Sequence, residues 1–277
     1  MSSPKIIIFG SRGFLGGYFM AKYSDALTPR MDIADIAAIS AYLDAEKPHV
    51  VINCAGKTGR PNVDWCEDHK LETLSSNVTG ALVLLEETQK RGMYLVHIGS
   101  GCIYQGDNDG RGWTEQDIPN YWGSFYSRTK AWSDQILKDF PVLNVRLRMP
   151  FDGSRNPRNL IMKLSSYTRV LDEPNSLTHL PDLLKTVDIL MKERRTGTFN
   201  MVNPGALSPY HVMELYKEIV DPHHSFERLT VDHLHDVVKA GRSNCLLSTK
   251  KLEDEGIILP SAEEAVISAL ESLKTAL

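Results

Sequence analysis

Four cysteines in 277 residues, none in a C-x-x-C pair, are too few and too scattered for a disulfide scaffold. Cys54, Cys66, Cys102 and Cys245 suit a reducing compartment, and a cytoplasmic location is expected. Long apolar runs are missing too. Stretches such as Ile6 to Phe9 and Gly80 to Leu85 fall far short of the ~20 residues that cross a bilayer. The opening Met-Ser-Ser-Pro-Lys5, followed by four apolar residues, lacks the pattern of a signal peptide. No block of like charge breaks the mixture of 31 basic and 35 acidic residues, and the net charge is -4. Nucleic acid and anionic membrane are therefore not expected as partners. Internal repeats and low-complexity tracts are absent. What remains, 42% hydrophobic and 24% charged with 19 glycines and 14 prolines, excludes a disordered or collagen-like chain. One globular unit or two closely coupled lobes, soluble, is expected. Asn77-Val-Thr79 matches a glycosylation acceptor, but in a cytosolic chain the match is chance.

Pro4 to Gly10 reads as a buried strand, because apolar β-branched residues run without alternation and stop at glycine. A helix follows from about Phe14. Asp32 is the expected N-cap of the next helix, with Asp35 in its first turn and Ile33, Ile36, Ala37 and Leu43 as its apolar stripe. His49 to Asn53 is another strand, and a long helix is expected from Asp68 to Arg91, ended by Gly92. Tyr94 to Ile98 reads as a strand, Ser124 to Asp139 as a helix and Val142 to Leu147 as a strand. After Pro150, turn clusters such as Asn156-Pro-Arg-Asn159 and Asn203-Pro-Gly205 separate shorter helices. The last helix starts at a capping box, Ser261 with Glu264 three residues on. This alternation predicts an α/β fold: a Rossmann-type doubly wound parallel sheet with a smaller, loop-rich C-terminal lobe. The expected division is 1–150 as the sheet domain and 151–277 mainly as the smaller lobe, with roughly 180–202 returning to the first.

Between the first strand and helix stands Gly10-Ser11-Arg12-Gly13-Phe14-Leu15-Gly16. The first glycine permits a tight turn, the second lets a pyrophosphate approach the backbone, and the third lets helix pack on strand. The helix N-terminus then offers its N–H groups to the anion. No acidic residue stands at a clear second strand end to hold a ribose 2′-hydroxyl, while Arg12 and Arg30 are placed to neutralise a 2′-phosphate. NADPH (NADP+) is expected over NADH.

Tyr126 and Lys130 are four apart on an expected helix and so share a face. An ammonium beside a phenol favours phenolate, and such a tyrosine exchanges a proton with a substrate oxygen. Tyr18 and Lys22 have the same spacing, but on the helix right after the glycine loop, where they pack and solvate. Ser100 separates the two pairs: it lies at a strand's carboxyl end, where open α/β sheets bind ligands.

Gly10-x-x-Gly13-x-x-Gly16, Asn53-Cys54-Ala55-Gly56, Ser100 and Tyr126-x-x-x-Lys130 resemble, in order and spacing, the extended short-chain dehydrogenases/reductases. The runs Thr58 to Glu67, Gly123 to Ser127, Arg146 to Pro150 and Asn156 to Asn159 narrow the resemblance. They are similar to the nucleotide-sugar 3,5-epimerase/4-reductases, which turn UDP-4-keto-6-deoxy-glucose into UDP-rhamnose. The dTDP-4-dehydrorhamnose reductases are more distant relatives. The resemblance implies that Ser100, Tyr126 and Lys130 serve reduction and that Cys102 and Lys163 are the acid–base pair of epimerisation. The GDP-fucose synthases also carry a cysteine at this place. It implies a cofactor cradle of Gly10 to Gly16, Arg30, Asn53 to Gly56, Tyr126 and Lys130. A nucleotide sugar, UDP-linked or dTDP-linked, would come from a separate 4,6-dehydratase, and the chain would form a homodimer through the helices bearing Tyr126 and preceding Tyr94.

Without that resemblance Cys102 reads as a small buried hydrophobe, and Lys163 as the polar side of an amphipathic helix. Arg60, Asn62, Arg158, Asn159 and Arg242 are the expected substrate ligands, since a guanidinium fork suits diphosphate oxygens. His223, His224, His233 and His235 fall close together but lack the spacing of a metal site, and no metal is expected. Two alternatives stay open: a monofunctional 4-keto reductase, and a non-catalytic NADP-binding regulatory subunit.

Overall fold

A computed structural model describes residues 4–60, 62–236 and 238–275, so part of the reading of the first five residues lies outside the described residues. The chain divides into two compact units. One comprises Met1–Ile103, Tyr121–Arg146 and Val187–Phe199; the other comprises Tyr104–Asn120, Leu147–Thr186 and Asn200–Leu277.

The first unit is built on β1 (Ile6–Phe9), β2 (Val50–Asn53), β3 (Tyr94–Ser100) and β4 (Leu143–Leu147), with Gly197–Met201 as the last strand of the sheet in the order just given. Strands β1, β2 and β3 pair in parallel, Ile7 beside Val51 and Val51 beside Leu95. On the other side of β1, Leu27 forms a single parallel bridge to Ile7, donating to the Ile6 carbonyl and accepting from Ile8 N–H at 2.9 Å each. Strand β1 thus lies between a neighbour reached through one helix and a neighbour reached through the next. Its carboxyl end is therefore the point where strand order reverses, which opens a crevice.

The helices of this unit are α1 (Phe14–Lys22), α2 (Ile36–Glu46), α3 (Trp65–Asp68), α4 (Lys70–Leu74), α5 (Gly80–Lys90) and α6 (Phe125–Leu137). Ile7, Phe9, Ile39, Leu43, Val51, Leu84, Leu95, Leu137 and Val142 form one buried cluster. Two expectations about α2 change. Its N-cap is Asp35, whose carboxylate accepts from Ala38 N–H at 3.0 Å, while Asp32 turns the chain one step earlier by accepting from Ala34 N–H. The start moves by three residues, and Ile39 and Leu43 face the core while Ile36 is left 45% exposed. The long helix expected from Asp68 is interrupted by a non-helical His69 and a π-helical turn over Ser75–Thr79. Its end is as expected, with Gly92 at φ 62°.

The second unit holds β5 (Pro150–Phe151), α7 (Leu160–Leu164), β6 (Arg169–Leu171) and β7 (Thr178–His179). After them come α8 (Leu180–Lys192) and β8 (Gly197–Met201), which run across the division, then α9 (Pro209–Ile219), β9 (Glu227–Leu229), α10 (Lys250–Asp254) and α11 (Ala262–Thr275). Strands β5 and β7 pair in parallel, as do β6 and β9. Phe151, Ile161, Leu177, Val212, Met213, Val266 and Leu270 make a separate core. The capping box of α11 is present in both directions: Glu264 N–H donates to Ser261 Oγ at 3.2 Å, and Ser261 N–H donates to Glu264 at 2.8 Å. The expected boundary at 150 shifts, because residues 104–120 group with this unit. Gly106 bridges Cys245 and Trp113 bridges Leu247, pairings with a partner more than a hundred residues downstream.

Candidate active site

The loop from β1 to α1 admits only glycine at two places. Gly10 has φ 76°, and a Cβ on it would lie 2.5 Å from Ala55 N; a Cβ on Gly16 would lie 2.1 Å from the Gly10 carbonyl oxygen. Backbone therefore packs on backbone, and the β1 loop touches the β2 loop at the sheet's switch point. Gly13 is the N-cap of α1 and supplies no side-chain cap. The first-turn N–H groups and the positive end of the helix point at this crevice, which fits a dinucleotide pyrophosphate. Ser11 is buried, Phe14 and Leu15 are half-buried, and Arg12 is exposed. Leu27, bridged to the outer side of β1, is followed by Thr28, Pro29 and an exposed Arg30, with no carboxylate between. That arrangement fits a 2′-phosphate.

After β2 comes Asn53-Cys54-Ala55-Gly56. Asn53 was expected at the cofactor, yet it is 1% exposed and its amide is spent inside the fold. Its Oδ1 accepts from Ala55 N–H at 3.0 Å, so its Nδ2 faces His97 Nδ1 at 3.1 Å and donates to it. The ring proton of His97 is thereby left on Nε2. Burial, and then the Lys130 ammonium, hold that imidazole well below its ordinary 6.5, so it is neutral. Asn53 shapes the loop while Ala55 and Gly56 present it. Burial pushes the Cys54 thiol up, so it is no nucleophile.

Ser100 ends β3, 4% exposed. After β3 the chain turns, with Ser100 Oγ accepting from Cys102 N–H at 3.1 Å. The half-buried Cys102 stays beside Ser100 through this turn. Helix α6 begins at its cap Ser124, whose Oγ accepts from Ser127 N–H at 3.1 Å. Tyr126 and Lys130 lie on its buried face, 7% and 6% exposed. Lys130 Nζ donates to the Ile98 carbonyl at 3.5 Å and stands 3.6 Å from where a Cβ of Gly56 would be. It thus joins the carboxyl ends of β2 and β3. Burial lowers its pKa from 10.5 to about 8, against opposing pulls from Cys102, Asp134 and Cys54.

Several supports of this site carry no sequence fingerprint. Asn77, in the π-helical turn, accepts from Lys57 N–H at 2.7 Å and donates to the Lys57 carbonyl at 3.0 Å and to Thr129 Oγ1 at 3.1 Å. Thr129 in turn donates to the Tyr126 carbonyl at 2.7 Å. Asp134, one turn beyond Lys130, forms a fully buried ion pair with Arg146 at 2.6 and 2.8 Å and accepts from Asn144 at 2.8 Å. With Ser75, Ser76 and Thr79 beside it, Asn77 carries no signal in the sequence that marks it as a support of this site.

The remaining expected residues fall elsewhere. Arg60 is exposed, and Asn62 accepts from Asp64 N–H at 2.8 Å in a local turn; both belong to the first unit. Lys163, Arg158, Asn159 and Arg242 belong to the second. Lys163 is half-buried on α7, and burial together with the Arg158 charge lowers its pKa. Asn159 corrects an expectation: it has no exposed surface and is the N-cap of α7. Its amide donates to the Asp152 and Ser154 carbonyls at 2.8 and 2.7 Å and accepts from Ile161 N–H at 3.2 Å, which leaves nothing for a nucleotide. Arg242 is half-buried and donates to the Ala240 carbonyl at 2.7 Å. Among the described residues no three metal-ligating side chains gather, and no helix is long and apolar enough to cross a membrane. The side chain of His235 lies outside the described residues.

Residues 4–275 match the family described as RmlD substrate binding domain. A bifunctional dTDP-4-dehydrorhamnose 3,5-epimerase/dTDP-4-dehydrorhamnose reductase of Arabidopsis thaliana is 38% identical, over 96% of this chain and 92% of its own length. A trifunctional UDP-glucose 4,6-dehydratase/UDP-4-keto-6-deoxy-D-glucose 3,5-epimerase/UDP-4-keto-L-rhamnose-reductase of the same plant is 36% identical over 96% of this chain, which spans only 41% of it. The crystal structure of the L780 UDP-rhamnose synthase of Acanthamoeba polyphaga mimivirus superposes with a TM-score of 0.92 at 31% identity, covering 98% of this chain and 100% of that one. The dTDP-4-dehydrorhamnose reductase of Bacillus anthracis, solved in complex with NADP, shares the fold at 21% identity and a TM-score of 0.82, over 96% of this chain and 97% of its own.

Proposed function

The chain belongs to the RmlD substrate binding domain family, and on that premise we propose that it is a bifunctional enzyme that epimerises a nucleotide-linked 4-keto-6-deoxy-glucose at C3 and C5 and then reduces C4. As a member it is an NADPH-dependent sugar reductase. The proposed substrate is UDP-4-keto-6-deoxy-glucose, supplied by a separate 4,6-dehydratase, and the product is UDP-rhamnose; the dTDP-linked sugar is the alternative. The observation that carries the reading is the buried Lys130, one helical turn past Tyr126, donating to the Ile98 carbonyl two residues before Ser100, whose Oγ holds Cys102 N–H.

The protons at C3 and C5 are acidic because each carbon adjoins the C4 carbonyl. Inverting either centre needs a base on one face, an acid on the other and a donor at the enolate oxygen. Lys163 is the base; burial and Arg158 both favour the neutral amine it needs. The Cys102 thiol delivers its own proton on the other face, and exchange with water resets the thiolate and the Lys163 ammonium before the second centre is inverted. Ser100 Oγ already accepts from Cys102 N–H, so its own hydrogen donates to the sugar oxygen at C4. NADPH, held in the glycine loop, would supply the hydride for C4. Tyr126 then gives its phenolic proton to the alkoxide, and Lys130 holds the ribose of the cofactor and restores the proton. Gly10 to Gly16, Ala55 and Gly56 cradle the dinucleotide, Arg12 and Arg30 bind its 2′-phosphate, and Arg60, Asn62, Arg158 and Arg242 bind the nucleotide sugar.

Four scattered cysteines with no C-x-x-C pair support a cytoplasmic setting. Trp132 and Ile136, 40% and 38% exposed on α6, support a homodimer through α5 and α6.

The test uses UDP-4-keto-6-deoxy-glucose made in situ by a dehydratase, in deuterated water, with NADPH consumption followed by absorbance and label position by NMR. Tyr126→Phe should abolish reduction while label still enters C3 and C5. Cys102→Ser should block epimerisation and retain NADPH binding. Rhamnose formed at the normal rate by Cys102→Ser would sink the epimerase assignment. No NADPH consumption with UDP-linked or dTDP-linked sugar would favour a binding role.

A further inference from the structure

Glu67 has no role in the chemistry above, yet it touches the helix on which reduction depends. Its Oε1 accepts from Phe125 N–H at 2.6 Å, across 58 residues of sequence. Phe125 is the first residue of α6 and Tyr126 the second. The first turn of a helix has N–H groups with no partner inside the helix. Here Ser124 takes that of Ser127 and the carboxylate from α3 takes that of Phe125. A charge-assisted bond at this end is also favoured by the helix dipole.

The position of Glu67 is in turn fixed by the segment before it. Gly59 has φ 75°, and a Cβ there would lie 2.3 Å from the Asn62 carbonyl oxygen. Asn62 Oδ1 caps Asp64 N–H, and Glu67 N–H donates to the Asp64 carbonyl at 3.1 Å. The Trp65 ring stacks on His69 at 3.9 Å, with Lys57 Nζ 5.5 Å from the ring centre, and Asn77 holds both backbone groups of Lys57. The arm from Lys57 to His69 is therefore anchored at both ends, and Glu67 is where it meets α6.

We propose that Glu67 is a positioning residue for the reduction step, carrying the register of this arm into the turn that bears Tyr126. The proposal rests on the reading of Tyr126 as the proton donor. Misplacing a reacting group by ~1 Å costs on the order of a hundredfold in rate, so a lost tether at the first turn is felt at the phenol.

The full-length chain is assayed as Glu67→Ala, Glu67→Gln and Tyr126→Phe, with NADPH and UDP-4-keto-6-deoxy-glucose as probes. Glu67→Ala should lower the single-turnover rate of NADPH consumption about tenfold or more, with NADPH affinity and deuterium uptake at C3 and C5 within about twofold. Glu67→Gln should recover the rate to within about threefold, because its amide oxygen still accepts from Phe125 N–H. Three results would overturn the proposal: normal reduction by Glu67→Ala beside an inactive Tyr126→Phe, equal loss of reduction, cofactor binding and exchange in Glu67→Ala, or a Gln variant as slow as Ala. Normal reduction by Tyr126→Phe would instead sink the reading of the site on which the proposal rests.

Discussion

Lys130→Met, made in a Tyr126→Phe background so that the phenol does not titrate, should stabilise the protein near neutral pH and lose that advantage as pH rises. Lys130 is 6% exposed, and its pKa falls from 10.5 to about 8, chiefly through burial. In the unfolded chain it keeps the ordinary 10.5. Below about pH 8 both states hold the proton, and the folded state bears the full cost of burying it. Between about 8 and 10.5 the folded chain releases its proton first, so the unfolded state binds more protons and stability rises with pH. The span between those two values corresponds to about 3–4 kcal/mol at ~1.4 kcal/mol per tenfold change. At about pH 9.5 roughly 2 kcal/mol of it should have been regained. Cys54, its thiol pushed up by burial, stays protonated over this window and cancels in the comparison. Urea denaturation of the two proteins at about pH 7 and about pH 9.5, without cofactor, reads the difference directly. The methionine protein should be the more stable at the lower pH, with the gap narrowing by about 2 kcal/mol at the higher. A gap that does not change with pH would refute the premise that this ammonium is strained by burial. The methionine protein should bind NADPH less well, since the site keeps its lysine at the expense of stability.

Two further outcomes are expected. Asp134→Ala leaves the guanidinium of Arg146, 0% exposed, without its buried partner and should cost about 3–5 kcal/mol in denaturant unfolding, whereas Asp134→Leu with Arg146→Met should cost much less; equal losses would show that the pair is not the stabilising unit. Asn159→Ala removes the cap of α7 and should cost about 1–2 kcal/mol of stability while leaving UDP affinity by calorimetry unchanged; a tenfold weaker UDP site at unaltered stability would restore the ligand role that burial denies it.

What could be read along the chain was what short-range physics sets. The capping box at Ser261 and Glu264, the helix start near Ser124 and the glycine turn from Gly10 to Gly16 rest on groups a few residues apart, and each is in place. Local rules failed where two residues offered the same chemistry. Asp32 and Asp35 both suit an N-cap, and packing of Ile39 and Leu43 selected the second. Asn159 likewise looked available to a nucleotide because an asparagine in a turn cluster is usually exposed; burial turned it inward.

By itself the sequence determined the alternation of strands and helices, the glycine loop and the face shared by Tyr126 and Lys130, since periodicity and backbone freedom act over one or two turns. Only the tertiary structure decided that His97 aligns Asn53, that Asn77 and Glu67 brace the tyrosine's helix from 52 and 58 residues away, and that Lys130 is held near pKa 8. Desolvation and partner choice depend on which surfaces meet in space, and no spacing along the chain records that.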